Sequence, residues 1–246
     1  MIFNMNNGII ENDTLFTPES RNIIWKMHNS YIVDHTKPND SNTHFRGYGL
    51  GWGLEDYHGK LRVSHGGGYD GMISSVTMIP DEKLGVVILT NGMNAPTGAV
   101  TNYVLNAFLG LAEKDWSAQM LEQSKKRQAG DKRISDRMDK RITGTKPSLP
   151  IEKYAGTFNA PIYGKIEVKP ENGNLRLYFE HTPDLSATLE HWHYDVWKIN
   201  WDKTQAWFTF GTVKFNMTNN LEITGLDFDV PNDDIFFEEL KAVKEY

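Results

Sequence analysis

Residues 63–92 read VSHGGGYDGMISSVTMIPDEKLGVVILTNG. Two apolar runs rich in β-branched residues, GMISSVTMIP at 71–80 and LGVVILTNG at 84–92, flank Pro80-Asp81-Glu82-Lys83. The proline presets φ for a turn and the acids supply local acceptors, so the pattern predicts two antiparallel strands joined tightly. In front of them SHGGGYDG reads as a strand ending in a glycine-rich loop, whose backbone takes unusual dihedrals and approaches a ligand closely. Exposed N–H groups in such a loop can hold an oxyanion, and His65 can donate or accept a proton near neutral pH. The same residues also read as a plain glycine-rich turn bearing a surface histidine.

Upstream, Thr17-Pro18-Glu19 supplies an N-cap, a first-turn proline and an early acid, and Ile23, Ile24, Met27 and Tyr31 follow at helical spacing. A polar stretch, DHTKPNDSNTH, leads to YGLGWGLED at 48–56, whose aromatic and glycine alternation predicts a strand with close backbone packing. Together with LRVSHGG and the two later runs this makes an antiparallel meander. Downstream, Pro96 opens a helix with Val100, Val104, Phe108 and Leu111 as its expected buried stripe.

Composition shifts over residues 113–146, centred on SKKRQAGDKRISDRMDKR. Asp131, Asp136 and Asp139 interrupt the basic residues at helical spacing, which favours a solvated linker helix over a basic binding tract. After Pro147 and Pro150 come eight short alternating runs: YAGTFNA, GKIEVKPENG, NLRLYFEH, SATLEHWHYD, VWKINW, AWFTFGTVKFNM, LEITGLDFDV and DIFFEEL. So many strands in so short a segment predict a small all-β antiparallel barrel or sandwich. The expected organisation is residues 1–112, a charged helical linker at 113–146, and a barrel at 147–246.

The 246 residues are 39% hydrophobic, enough to bury a real core, and carry 26 Lys and Arg against 32 Asp and Glu. A formal charge of -6 gives no general attraction to nucleic acid or anionic lipid. The absence of cysteine excludes disulfides, thiolate metal sites and a cysteine nucleophile. No apolar run reaches the roughly 18 residues of a membrane span. The first residues, MIFNMNNGIIENDTLF, lack the basic and apolar regions of a signal peptide, and the compartment stays open.

YGLGW at 48–52, VSHGGGYDG, IPDEKLGVVILTN and the closing helix together resemble the C-terminal part of class C β-lactamases and penicillin-binding-protein-like serine hydrolases, over about residues 1–112. The resemblance implies an α+β remnant, an antiparallel sheet with helices, whose active-site strand carries a Lys-Thr-Gly or His-X-Gly triplet. Here the triplet is His65-Gly66-Gly67. It implies that His65 orients substrate and tunes the nucleophile's proton network, and that the Gly68 N–H supplies half of an oxyanion hole. Gly66 and Gly67 would let the acyl group lie against the strand, with Tyr69 a substrate contact.

The departures matter as much. No serine here begins a Ser-X-X-Lys and no tyrosine begins a Tyr-X-Asn. The resemblance therefore places the nucleophile upstream of Met1 and makes this chain a catalytically incomplete C-terminal portion. Ser64 does not replace it, because neighbours on a strand point to opposite faces. The intact bacterial parent, periplasmic or extracellular, would hydrolyse a β-lactam, a D-amino-acid peptide or an ester without metal or organic cofactor. The triplet's histidine tilts this toward an ester or peptide. The uncovered apolar edge of LGVVILTNG predicts self-association.

PIEKYAGTF, LRLYF, LEITGLDFD and FFEEL resemble the lipocalin-like barrel of uncharacterised role appended to many β-lactamase-related hydrolases. His191 and His193, with His181, read either as metal ligands or, favoured here, as a polar strand face. Trp192, Trp197, Trp201 and Trp207 are expected to fill a small barrel rather than line a ligand cavity. The reading from a different class is a non-catalytic ligand- or protein-binding module built on that barrel.

Overall fold

The computed structural model describes residues 1–246 except 38, 94 and 95, so position 38 of the polar stretch lies outside the described residues. The chain forms two compact units, Met1–Lys126 and Arg127–Tyr246. The first begins with α1 (Ile2–Met5), the ribbon β1 (Ile9–Ile10) and β2 (Asp13–Thr14), and α2 (Pro18–Ile24). Thr17 caps α2 as its spacing predicts, its hydroxyl accepting the Ser20 N–H at 3.2 Å. Tyr31 does not continue that helix. The His28 N–H donates to the Tyr48 carbonyl at 2.9 Å and draws the chain into a sheet, so Tyr31 ends a strand.

That sheet contains β3 (Asn29–Tyr31), β4 (Arg46–Tyr48), β5 (Gly53–Tyr57), β6 (Lys60–Tyr69), β7 (Met72–Ile79) and β8 (Leu84–Leu89) in sequential order. All neighbours are antiparallel, which is the meander the sequence predicts. Leu54, Val63 and Met78 stand opposite one another on adjacent strands and are buried together with Trp25, Trp52, Met1 and Met5. Burying each such side chain stabilises the unit by roughly 1.5–3 kcal/mol.

A second cluster joins Tyr57 and Ile79 to Leu105 of α3 (Thr97–Phe108). The expected stripe on α3 is displaced: Ala99, Thr101, Leu105 and Asn106 are buried, Val104 and Leu111 are half-buried, and Val100 and Phe108 are exposed. Polar anchors set the helix rotation. Tyr57 Oη donates to Asn106 Oδ1 at 2.5 Å, and Arg62 donates to Asn102 Oδ1 at 3.3 Å. Burial pushes the Tyr57 phenol up. The first unit's remaining helix, α4 (Trp116–Gly130), runs past the division between the units.

The glycine-rich stretch is not a loop. Residues 65–69 are strand, and β6 and β7 are closed by Asp70-Gly71 between the paired residues Tyr69 and Met72. Only Gly71 takes a left-handed dihedral, at φ +87°, where a side chain is strained. Gly66, Gly67 and Gly68 have no such φ.

In the second unit α5 (Arg133–Asp139) places Arg133, Arg137 and Arg141 four residues apart. Arg133 bonds Asp233 at 2.6 Å, Arg137 bonds Asp229 at 2.7 Å, and Arg141 lies 4.4 Å over the Trp192 ring. The basic residues are thus used on the unit's own barrel. Trp192 is buried between Arg141 and Phe210, apart from the barrel's main cluster.

The barrel closes eight antiparallel strands: β9 (Gly156–Ala160), β10 (Gly164–Glu171), β11 (Asn174–Phe179), β12 (Ser186–His193), β13 (Val196–Trp201), β14 (Thr212–Met217), β15 (Ile223–Asp229) and β16 (Ala242–Lys244). Val243 pairs with Asn159 to complete the ring. DIFFEEL is not the eighth strand. Asn232 ties down its start, accepting the Asp234 and Ile235 N–H groups, and Phe237 turns inward on a short 3₁₀ segment. The interior is filled by Phe158, Leu177, Leu189, Ile199, Phe215 and their neighbours.

Tyr154, fully buried, plugs the barrel against Trp197 and Phe215. Its hydroxyl bonds Asp195, which also accepts the Ser148 N–H at 3.0 Å and hydroxyl at 2.8 Å. Burial pushes the Asp195 carboxyl up, but these bonds more than offset it, so it titrates below the usual carboxylate range. Burial and the same contact push the Tyr154 phenol well up.

Candidate functional site

Strand β6 pairs with β5 only as far as Ser64 opposite Gly53, but with β7 as far as Tyr69. Among the described residues, His65 to Tyr69 therefore have a strand on one side alone. Which backbone groups face the open side follows from the far edge of β7. Thr90 Oγ1 accepts the Ile73 N–H at 3.0 Å, and the Ile73 carbonyl accepts the Thr90 N–H at 3.0 Å. Both polar groups of Ile73 thus point toward β8.

Gly68 stands directly opposite Ile73, so the two form a pair without mutual hydrogen bonds. The Gly68 N–H and C=O consequently project from the open edge. Two residues back, Gly66 is in the same phase, roughly 7 Å along the strand. Ser64, next in phase, uses its outward groups on Gly53.

The glycines contribute absence of side chains rather than special dihedrals. Built on Gly66, a Cβ would meet only the Ser74 carbonyl oxygen at 3.6 Å, and on Gly67 only Ser74 Oγ at 3.5 Å. Among the described residues only these Ser74 atoms stand over Gly66 and Gly67, at ordinary contact distance, so the backbone there is open to close approach.

His65 is exposed at the start of this edge, with Nε2 2.9 Å from the Tyr48 hydroxyl and the ring edge-on to Trp52 at 6.5 Å. Sequence reasoning took YGLGW as a family mark and missed Tyr48 as a partner of His65. The signal lay in the flanking glycines: a Cβ on Gly49 would collide with the Ile24 carbonyl oxygen, so that close approach seats Tyr48. The strand brings Gly67 and Tyr69 to the face of His65, but Tyr69 is roughly 13 Å along it and 75% exposed. Ser64 lies on the other face, with Arg62. Arg62 there is bonded through Nε to Glu55 at 2.6 Å, and both side chains are largely buried.

His191 and His193 of the barrel are bonded to backbone. His191 Nε2 is 3.0 Å from the Tyr194 carbonyl, and His193 Nδ1 accepts the Ile142 N–H at 3.3 Å. Burial and the neighbouring Arg141 hold His193 below the usual imidazole range. Among the described residues no group of three or more His, Asp or Glu is placed to hold a metal ion, and no helix is long and apolar enough to cross a membrane.

Residues 30–110 match the β-lactamase family model, and residues 140–244 match a domain of unknown function, DUF3471. With the antiparallel sheet and its helices, residues 30–110 form a β-lactamase-like region, followed by a closed eight-stranded barrel. The chain is similar to the unguisins hydrolase ungD of Aspergillus violaceofuscus, 25% identical over 158 residues covering 58% of this chain and 28% of that protein. An octameric penicillin-binding protein homologue from Pyrococcus abyssi is 16% identical, with a TM-score of 0.37 over 99% of this chain and 44% of its own. SurE crystallised with D-Leu is 14% identical, with a TM-score of 0.32 over 94% and 44%. The chain thus spans less than half the length of these relatives.

Proposed function

We propose that residues 60–79 form the oxyanion and substrate edge of a β-lactamase-related serine hydrolase, which cleaves an amide or ester through an acyl-serine. The observation that carries this is the phase of β6. The register that sets Gly68 opposite Ile73, whose polar groups pair with Thr90, points the Gly68 N–H outward on an edge that no described strand covers. A fixed donor aimed at an oxygen that becomes negative only in the transition state is typically worth about 10²–10³ in rate.

In this reading His65, bonded to Tyr48, orients substrate and joins the proton network, and Gly66 and Gly67 admit the acyl group. Tyr69 contacts the distal part of the substrate. A β-lactam, a D-amino-acid peptide and an ester all fit, and the histidine favours the latter two; the hydrolase name of the fungal relative supports the reaction class. None of the 246 residues begins a Ser-X-X-Lys, and Ser64 faces away from His65, so this polypeptide alone is not acylated.

A fluorophosphonate probe, run with a panel of chromogenic esters and a cephalosporin, tests this. The expected result is neither labelling nor turnover by these 246 residues, and both when the chain is extended upstream by a Ser-X-X-Lys segment. Stoichiometric labelling of one of the present serines overturns the assignment of the nucleophile. Saturable ligand binding by the whole chain that survives His65→Ala, with the extended chain still unlabelled, favours the barrel-module reading instead.

A further inference from the structure

A cavity of about 250 Å³ lies between the sheet and α3, lined by Ser64, Gly66, Ser75, Thr77, Thr101 and Asn102. We propose that it is a subsite for a short, uncharged polar group of the substrate, an amide or hydroxyl, entering past Gly66. The proposal deepens the reading of β6 as a substrate edge and rests on it.

Size sets the first limit. Whole small-molecule ligands take roughly 300–1,000 Å³, so this cavity suits a side-chain-sized substituent of something bound outside it. Its location gives the route. Ser64 and Gly66 alternate onto the same face of β6, and Gly66 also carries an outward N–H on the open edge. A substrate lying along that edge thus meets, at Gly66, both a backbone donor and the cavity. A Cβ there would be in ordinary contact with the Ser74 carbonyl oxygen at 3.6 Å, so the glycine is not required by packing and its effect is to leave the mouth open.

Chemistry sets the second limit. The lining carries hydroxyls from Ser64, Ser75, Thr77 and Thr101, each able to donate and accept. Ser75 Oγ is buried without a hydrogen-bond partner among the described residues. A buried hydroxyl left unpaired is unfavourable, and a ligand group able to reach it would offset that cost. Charge is a different matter. The lining's basic side chains are already engaged, Arg62 by Glu55 and Asn102 Oδ1 and His65 by the Tyr48 hydroxyl, so a carboxylate entering here would lose its hydration without gaining a free counter-charge. A neutral group that both donates and accepts is what the lining can satisfy.

The test reads binding by the full chain, through backbone amide chemical shifts, and does not depend on turnover. Propionamide is titrated against propionate at millimolar concentrations. The expected result is saturable movement of the Ser64, Gly66, Ser75 and Thr77 amides with propionamide, and at least a fivefold weaker response to propionate. Gly66→Val, which puts a branched side chain in the mouth, should abolish the response while the barrel amides stay in place. Equal or tighter binding of propionate, no saturable movement with either probe, or a response unchanged by Gly66→Val each overturns the proposal. Such a result leaves the outward Gly68 N–H to the labelling experiment above, so the two readings fail separately.

Discussion

Replacing Tyr154 by phenylalanine removes one oxygen from the base of the barrel and leaves the ring contacts with Trp197 and Phe215 in place. The lost hydroxyl bonds the Asp195 carboxylate and accepts the Leu149 N–H at 3.3 Å, in a residue with no solvent exposure. A hydrogen bond to a charged partner is worth about 1.5–3 kcal/mol, and the lower part of that range applies because Asp195 is only half-buried and can regain water. With a urea slope near 2 kcal/mol per molar, the barrel's midpoint should fall by roughly 1 M. Urea unfolding followed by amide signals of β9 to β15 isolates that unit. The difference also has a pH signature. Asp195 titrates below the usual carboxylate range when folded, so its contribution is complete above the ordinary carboxylate value and fades as pH falls through the lower folded one. Wild type and Tyr154→Phe should therefore converge in strong acid. A midpoint shift below about 0.25 M at neutral pH, or a gap independent of pH, refutes the reasoning.

Gly71→Val forces a β-branched residue to φ +87° and should destabilise the first unit by at least about 1–2 kcal/mol, whereas Gly67→Ala should be nearly neutral; thermal unfolding of the two variants compares them. Tyr48→Phe removes the 2.9 Å partner of His65 and should move the His65 Nε2 nitrogen resonance while leaving far-ultraviolet circular dichroism unchanged; an unmoved resonance argues against the contact. Val87 and Leu89 are 52% and 78% exposed on the edge strand β8, so the chain should self-associate at tens of micromolar and Leu89→Lys should weaken it several-fold in sedimentation. A monodisperse wild-type monomer contradicts that expectation.

Much of the architecture was legible in the chain itself. The apolar runs after Met72 and after Leu84 could only be strands of a hairpin around Pro80, because their length and β-branching suit a half-buried pleat. Thr17-Pro18 marked a helix start by local chemistry that needs no distant partner. The eighth barrel strand was harder: FFEEL is aromatic-rich like a strand but lacks strict alternation, and Phe237 is drawn into the core while the short AVK segment closes the ring instead.

The sequence by itself determined that two strands follow His65 and its three glycines, that no Ser-X-X-Lys accompanies them, and that a small all-β unit follows. Tertiary structure decided what those residues present. That the Gly68 N–H points outward follows from the register that sets it opposite Ile73, and Thr90, 22 positions away, takes up Ile73's polar groups on the far side. Whether His65 has a partner depends on Tyr48 reaching it from another strand. The rotation of α3 depends on Asn106 meeting Tyr57. Local patterns fix which elements form, because propensity and periodicity act over a few residues. The direction of a single N–H or the face of a helix is set by hydrogen bonds between positions far apart in the chain, and these exist only once it has folded.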